Sequence, residues 1–183
     1  MQPELVERLH AALPQARAWI AEFVAAHAER ARPVSTYPWQ RLRECYPAEL
    51  LERVRVVPVD AVVFPPVEEF GLPELAGIRE QQLFGITFQD TFFVRKDRQF
   101  EALFFHELVH VVQWERLGSD RFLLAYAVGL ATTTYENSPL ERMAYSLQQR
   151  FEFGTLPDRL LDVIETATDD LWNYYAPQVL PPS

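Results

Sequence analysis

His106, Glu107, Leu108, Val109 and His110 form an HExxH pattern whose spacing prescribes a chemistry. On a helix, residues four apart stand one turn apart on one face, so the two imidazoles can share one zinc ion at about 2.0–2.1 Å. The Glu107 carboxylate is adjacent and is not needed as a ligand. It is therefore available to take a proton from a zinc-bound water that the ion acidifies. The pattern is a nucleophile generator with its own general base. A catalytic zinc also needs a third protein ligand and an open fourth position. No histidine follows His110, and residues 111–118 read VVQWERLG. The third ligand is thus a carboxylate or lies upstream, where His10 and His27 read as surface or packed residues of amino-terminal helices.

The leading downstream candidate is Glu141, within YENSPLERMAY at positions 135–145. Ser138 with Pro139 at the first helical position opens a helix and puts Glu141 in its first turn. Ser138 followed by Glu141 is also a capping box, in which the glutamate returns to the backbone of the cap. The two roles compete for one carboxylate, and the ligand role is favoured because a first-turn glutamate can still point at a metal. Glu136 is the reserve ligand. The metal helix itself carries Phe104, Phe105, Leu108, Val109, Val111 and Val112 and must be largely buried. Buried histidines and a carboxylate need partners, and a metal satisfies all of them. Gln113 reads as the cap of a local backbone group in preference to a group orienting a ligand, and Trp114 reads as core. Glu68, Glu69, Asp169 and Asp170 read as solvated.

His106, Glu107 and His110, followed by Asn137 and Glu141 on a later helix, resemble the gluzincins, the thermolysin-like zinc metallopeptidases. The stretch from Asn137 to Tyr145 resembles small bacterial zincin-like domains, and the resemblance covers roughly residues 54–145. It implies that His106, His110 and Glu141 are the zinc ligands and Glu107 the base. It also implies an edge strand above the metal helix, assigned to Thr91–Val94, to which an extended substrate adds as a further strand. The chain departs from the family in having no later histidine for the developing oxyanion. Tyr145, four residues after Glu141 on the same helix face, is the candidate donor, with Tyr126, Tyr135 and Arg142 in reserve.

The elements around the motif give a mainly helical α+β fold with a small antiparallel sheet or hairpin packed on the HExxH helix, which the resemblance implies is a zincin-like domain. Apolar spacing predicts helices over residues 1–31, with Pro14 dividing them into two in series. β-branched and aromatic residues place a small sheet at 54–96, with strands at Val54–Val59 and Ala61–Phe64 and a hairpin turning at Gln89 and Asp90. Residues 98–175 are helical again: Gln99–Leu117 closed by Gly118, Ser119–Thr134, Ser138–Phe153, and a last helix from Pro157 to Tyr175. The 183 residues read as one domain.

Lysine and arginine number 17 against 26 aspartates and glutamates, a net charge of -9 that argues against a nucleic-acid partner. No apolar run approaches the length of a membrane span, and the charged amino-terminal stretch does not read as a signal peptide. The single cysteine, Cys45, excludes an intramolecular disulfide and suits a reducing, cytoplasmic setting. The first expectation is a zinc metallopeptidase-like hydrolase acting on a peptide or protein. The alternatives are a catalytically silent zinc-stabilised scaffold or protein-binding module, whose site the amino-terminal helices cover as a plug, and a metal-free helical interaction protein.

Overall fold

The computed structural model describes residues 2–80 and 82–180. Among the described residues, six α-helices accompany one four-stranded sheet: α1 (Pro3–Ala26), α2 (Gln40–Cys45), α3 (Ala48–Arg53), α4 (Glu101–Thr132), α5 (Pro139–Phe153) and α6 (Leu160–Val179). The strands are β1 (Arg32–Pro33), β2 (Arg55–Val59), β3 (Gly85–Phe88) and β4 (Thr91–Arg95), and the fold is mainly helical α+β as expected. Among the described residues no helix is long and apolar enough to cross a membrane.

Strand order is β1-β2-β4-β3. The β3–β4 hairpin is antiparallel, turning at Gln89 (φ 59) and Asp90, and β1–β2 is antiparallel, but β2 and β4 run parallel. The sheet is therefore mixed, because the segment between β2 and the hairpin crosses over instead of turning back. Ala61–Phe64, expected as a strand, forms no ladder and belongs to this crossover. β4 lies inside the sheet, so the edge strand beside the metal helix is β3 and not Thr91–Val94.

Alternation along the strands builds two apolar layers. Val56, Phe92 and Val94 face Phe104, Phe105 and Leu108 of α4. Val57, Phe88 and Phe93 face the opposite way, towards α1, where Trp19 stands edge-on to Phe88 at 5.7 Å and Phe23 tilts against Phe93 at 4.9 Å. The sheet is thus held between α1 and the first half of α4.

α1 is one continuous helix, not two, with Pro14 inside it. The proline removes one amide donor, towards the carbonyl of His10, but Leu9, Leu13 and Ile20 on the buried stripe hold both halves on one axis. His10 Nε2 donates to the carbonyl of Val179, fastening α1 to the last helix. In α4, Gly118 adopts φ 70 and ψ 169, a conformation reserved for glycine, and the helix resumes at once instead of ending. This bend lets the first half of α4 lie on the sheet while the second half packs Phe122, Leu124 and Val128 with Trp172 and Val179 of α6. α5 begins and ends where the sequence places it, with Ser138 as cap and Gly154 in the left-handed region after Phe153. The last helix starts at Leu160, three residues beyond the proline expected to open it.

Candidate metal centre

His106 and His110 rise from one face of α4, and α5 crosses that face with Glu141 in its first turn. The two Nε2 atoms are 3.1 Å apart, and Oε2 of Glu141 is 3.3 Å from the first and 3.4 Å from the second. All three side chains are buried. Ligand atoms about 2.0–2.1 Å from a tetrahedral ion stand about 3.3 Å from one another, so this triangle has the dimensions of three corners of a metal site. Among the described residues, this is the group of histidine and carboxylate side chains that could hold a metal ion.

The competition between cap and ligand at Glu141 resolves towards the histidines. Ser138 makes no side-chain cap hydrogen bond and its buried hydroxyl has no partner, while Glu141 turns inward. The amino-terminal end of α5 also favours a carboxylate there through its exposed backbone dipoles.

A ring of further contacts fixes the ligands. His110 Nδ1 meets Oε1 of Gln113 at 2.8 Å, and the Gln113 amide donates to the carbonyl of Leu140 at 3.2 Å. Gln113 therefore orients a candidate metal ligand, contrary to its expected role as a local cap, and ties α4 to α5 as it does so. His106 Nδ1 meets Oε1 of Gln148 at 3.1 Å. The Tyr126 hydroxyl donates to the second oxygen of Glu141 at 2.7 Å, which commits a residue the sequence held in reserve for the oxyanion. Such partners hold ligands in one orientation and tautomer.

Glu107 points to the other side, towards the hairpin. The Thr87 hydroxyl donates to its carboxylate at 2.7 Å. Gly85 lies so close that a Cβ there would come within 2.2 Å of Oε1 of Glu107. The hairpin register explains what the edge offers. Arg95 N–H donates to the carbonyl of Phe84, so Gly85 and Thr87, the next alternate positions along the strand, turn their backbone groups away from β4 to the outer edge. Consistent with this, Trp114 Nε1 donates to the Thr87 carbonyl at 3.1 Å; the tryptophan is buried as expected of a core residue.

Tyr145 tilts its ring against that of His106 with centroids 4.5 Å apart, and it is 41% exposed. Glu136 and Arg142, the other reserves, are exposed, and Asn137 is bonded to Thr134, away from the ligands. His27 bonds the carbonyl of Phe23 within its own helix, so neither it nor His10 approaches the centre.

The electrostatics are those of a compact ion pair. Burial pulls the pKa of His110 down, but the charge and hydrogen bond of Glu141, with Glu107 nearby, push it up to about 9. Burial raises that of Glu141, but the charge of His110 and the hydrogen bonds from both imidazoles hold it well below the usual carboxylate range. Glu107 is raised by burial, against the opposing charges of the two histidines and the Thr87 hydrogen bond. Burial and the charge of Glu141 push Tyr145 up to about 12, so its hydroxyl keeps its proton.

Glu107, His110 and Glu141 line one end of a cavity of about 100 Å³ that lies between α4, the outer edge of β3, α1 and residues 64–75. On the far side of His106, a separate groove runs past Arg142, Tyr145 and Gln148. Compared with protein-family profiles, with curated proteins and with solved structures, the chain finds no match. The chemistry of the site therefore rests on its own residues.

Proposed function

We propose that His106, His110 and Glu141 hold a zinc ion and that the protein is a gluzincin-like hydrolase of amide bonds, peptide bonds among them. Three ligating atoms at tetrahedral spacing, with a carboxylate beside them that binds none of the three, carry this reading. Two imidazoles and a carboxylate suit zinc best among common divalent ions. A zinc ion there supplies Lewis acidity, polarising a carbonyl oxygen and acidifying a water. Glu107, oriented by Thr87, takes a proton from the attacking water, whose oxygen adds to the carbonyl carbon. The carbon–nitrogen bond then breaks, Glu107 returns the proton to the nitrogen, and acid and amine leave with the atoms of one water shared between them. Burial, which favours protonated Glu107, suits it to hold that proton between the two steps. Tyr145, protonated and beside His106, is the proposed donor to the oxyanion.

A second reading has its own support: α1 roofs the cavity on which the ligands open, as a silent zinc-stabilised scaffold requires. Elemental analysis of protein purified without added metal tests both. The expected result is one equivalent of zinc in the wild type and loss of it in His110→Ala and Glu141→Ala. A metal-free wild type defeats both readings. Glu107→Gln should keep its zinc and lose about 100-fold or more in turnover, whereas Tyr145→Phe should lose about tenfold to 100-fold. A zinc-loaded wild type without turnover leaves the scaffold. The unpaired Cys45 fits a reducing compartment, and we assign the protein to the cytoplasm on that basis.

A further inference from the structure

The cavity beside the metal ligands narrows the substrate class. Its polar groups are gathered at one end, where Thr87, Glu107, His110, Tyr126, Tyr135 and Glu141 stand. The rest of its wall is apolar, with Leu9 and Leu13 from α1, Phe64 and Leu72 from the crossover, and Phe122 and Leu130 from the second half of α4. Among the described residues that line it there is no lysine or arginine. A charged terminus, carboxylate or ammonium, carried to the apolar part of the cavity would lie unpaired among leucine and phenylalanine.

Size gives a second constraint. A cavity of about 150 Å³ admits benzene, so one of about 100 Å³ admits a group of about four carbons. The edge strand gives a third. Gly85 and Thr87 turn their backbone groups to this outer edge, but Thr87 is 6% exposed, its carbonyl is taken by Trp114 Nε1, and Leu9, Leu13 and Ile20 of α1 line the same cavity. Three residues of added strand span about 10 Å, which the roofed space does not admit.

We propose that the substrate is a small amide whose cavity-side end is a compact, uncharged, apolar group of about four carbons, and not a polypeptide lying along β3. The proposal rests on the hydrolase reading above and names its substrate class. The polar remainder of the molecule lies towards the polar end of the cavity, which Tyr126 and Tyr135 line.

The test uses the full chain loaded with one equivalent of zinc. Butanoate and 3-methylbutanoate, which pair a carboxylate head with an alkyl body of the right size, are titrated calorimetrically. N-butanoyl and N-dodecanoyl amides of one chromogenic amine are assayed beside an internally quenched peptide rich in leucine. Ala16→Phe fills the cavity from a half-buried position on α1, and Ala12→Leu is the second filling variant should the first fail to fold. The expected result is that both acids bind and that a filling variant weakens them about tenfold or more. The butanoyl amide should exceed the dodecanoyl amide and the peptide in kcat/KM by a similar factor. Cleavage of the peptide at least as fast as the butanoyl amide overturns the proposal and shows that α1 lifts to admit a chain. Acid binding that is absent, or untouched by either filling variant, overturns it as well. Zinc content separates the two levels: a metal-free wild type defeats the hydrolase reading and this proposal with it, whereas a zinc-loaded protein that fails the acid and amide tests defeats this proposal alone.

Discussion

Gln113 and Gly85 serve the centre without being ligands, and each gives a measurement. Gln113 holds the imidazole of His110 in place and is itself anchored on Leu140. Replacing it with alanine should weaken zinc binding by about tenfold to 100-fold, read by competition with a chromogenic chelator. At Gly85 the clash is with the proposed base and not with the ligands. Gly85→Ala should therefore retain one zinc while destabilising the protein by about 1–3 kcal/mol in urea unfolding and depressing turnover. The grouping of His106, His110 and Glu141 is legible in the sequence because helical spacing and a helix-start signal are local. Gln148, Thr87 and the hydroxyl of Tyr126 were not, since their roles arise only when α5, the hairpin and the bent half of α4 are brought against the same two imidazoles. Gln113 was visible but misjudged, because its second partner lies on another helix.

α4 serves the site by having two directions in one element. Gly118 sits at a backbone conformation that a side chain does not tolerate, and its own Cβ position is open space. Gly118→Ala should cost about 1–3 kcal/mol by chemical denaturation through backbone strain alone. The proposed ligands His106, His110 and Glu141 lie away from the bend, so the proposed zinc stoichiometry should hold. Element starts and stops governed by local chemistry, such as those of Pro139–Phe153, fall where the sequence puts them. Those decided by packing do not. Pro14 reads locally as a break, yet the apolar stripe of α1 spans it. The hydrophobic run at Ala61–Phe64 has the composition of a strand, but β2 already has β1 and β4 on its two sides, which leaves no edge for it there. The parallel pairing of β2 with β4, and hence which strand forms the edge, depends on a crossover that no local pattern encodes.

For the whole molecule, the metal-free state should be pH-sensitive in a defined direction. The folded pKa of His110, about 9, is above the ordinary value of about 6.5, so the Glu141 pairing stabilises the fold fully below pH 6.5. That stabilisation is lost as the pH rises through about 9. Thermal melts of metal-free protein should accordingly show stability falling across this window, by an amount on the order of 3–4 kcal/mol. Zinc binding requires neutral imidazoles, so at pH 7 it should release protons, visible as a buffer-dependent enthalpy in titration calorimetry. Saturating zinc should then raise the melting temperature most at the alkaline end, where the ion replaces an attraction that deprotonation has removed.

The clasp between His10 and Val179 joins positions 169 residues apart, whereas all three candidate ligands are complete by residue 141. During synthesis on a ribosome the ligand set therefore exists before the last turn of α6 that fastens the roof. An ion that met the three candidate ligands at that stage would do so before the clasp between α1 and α6 had formed.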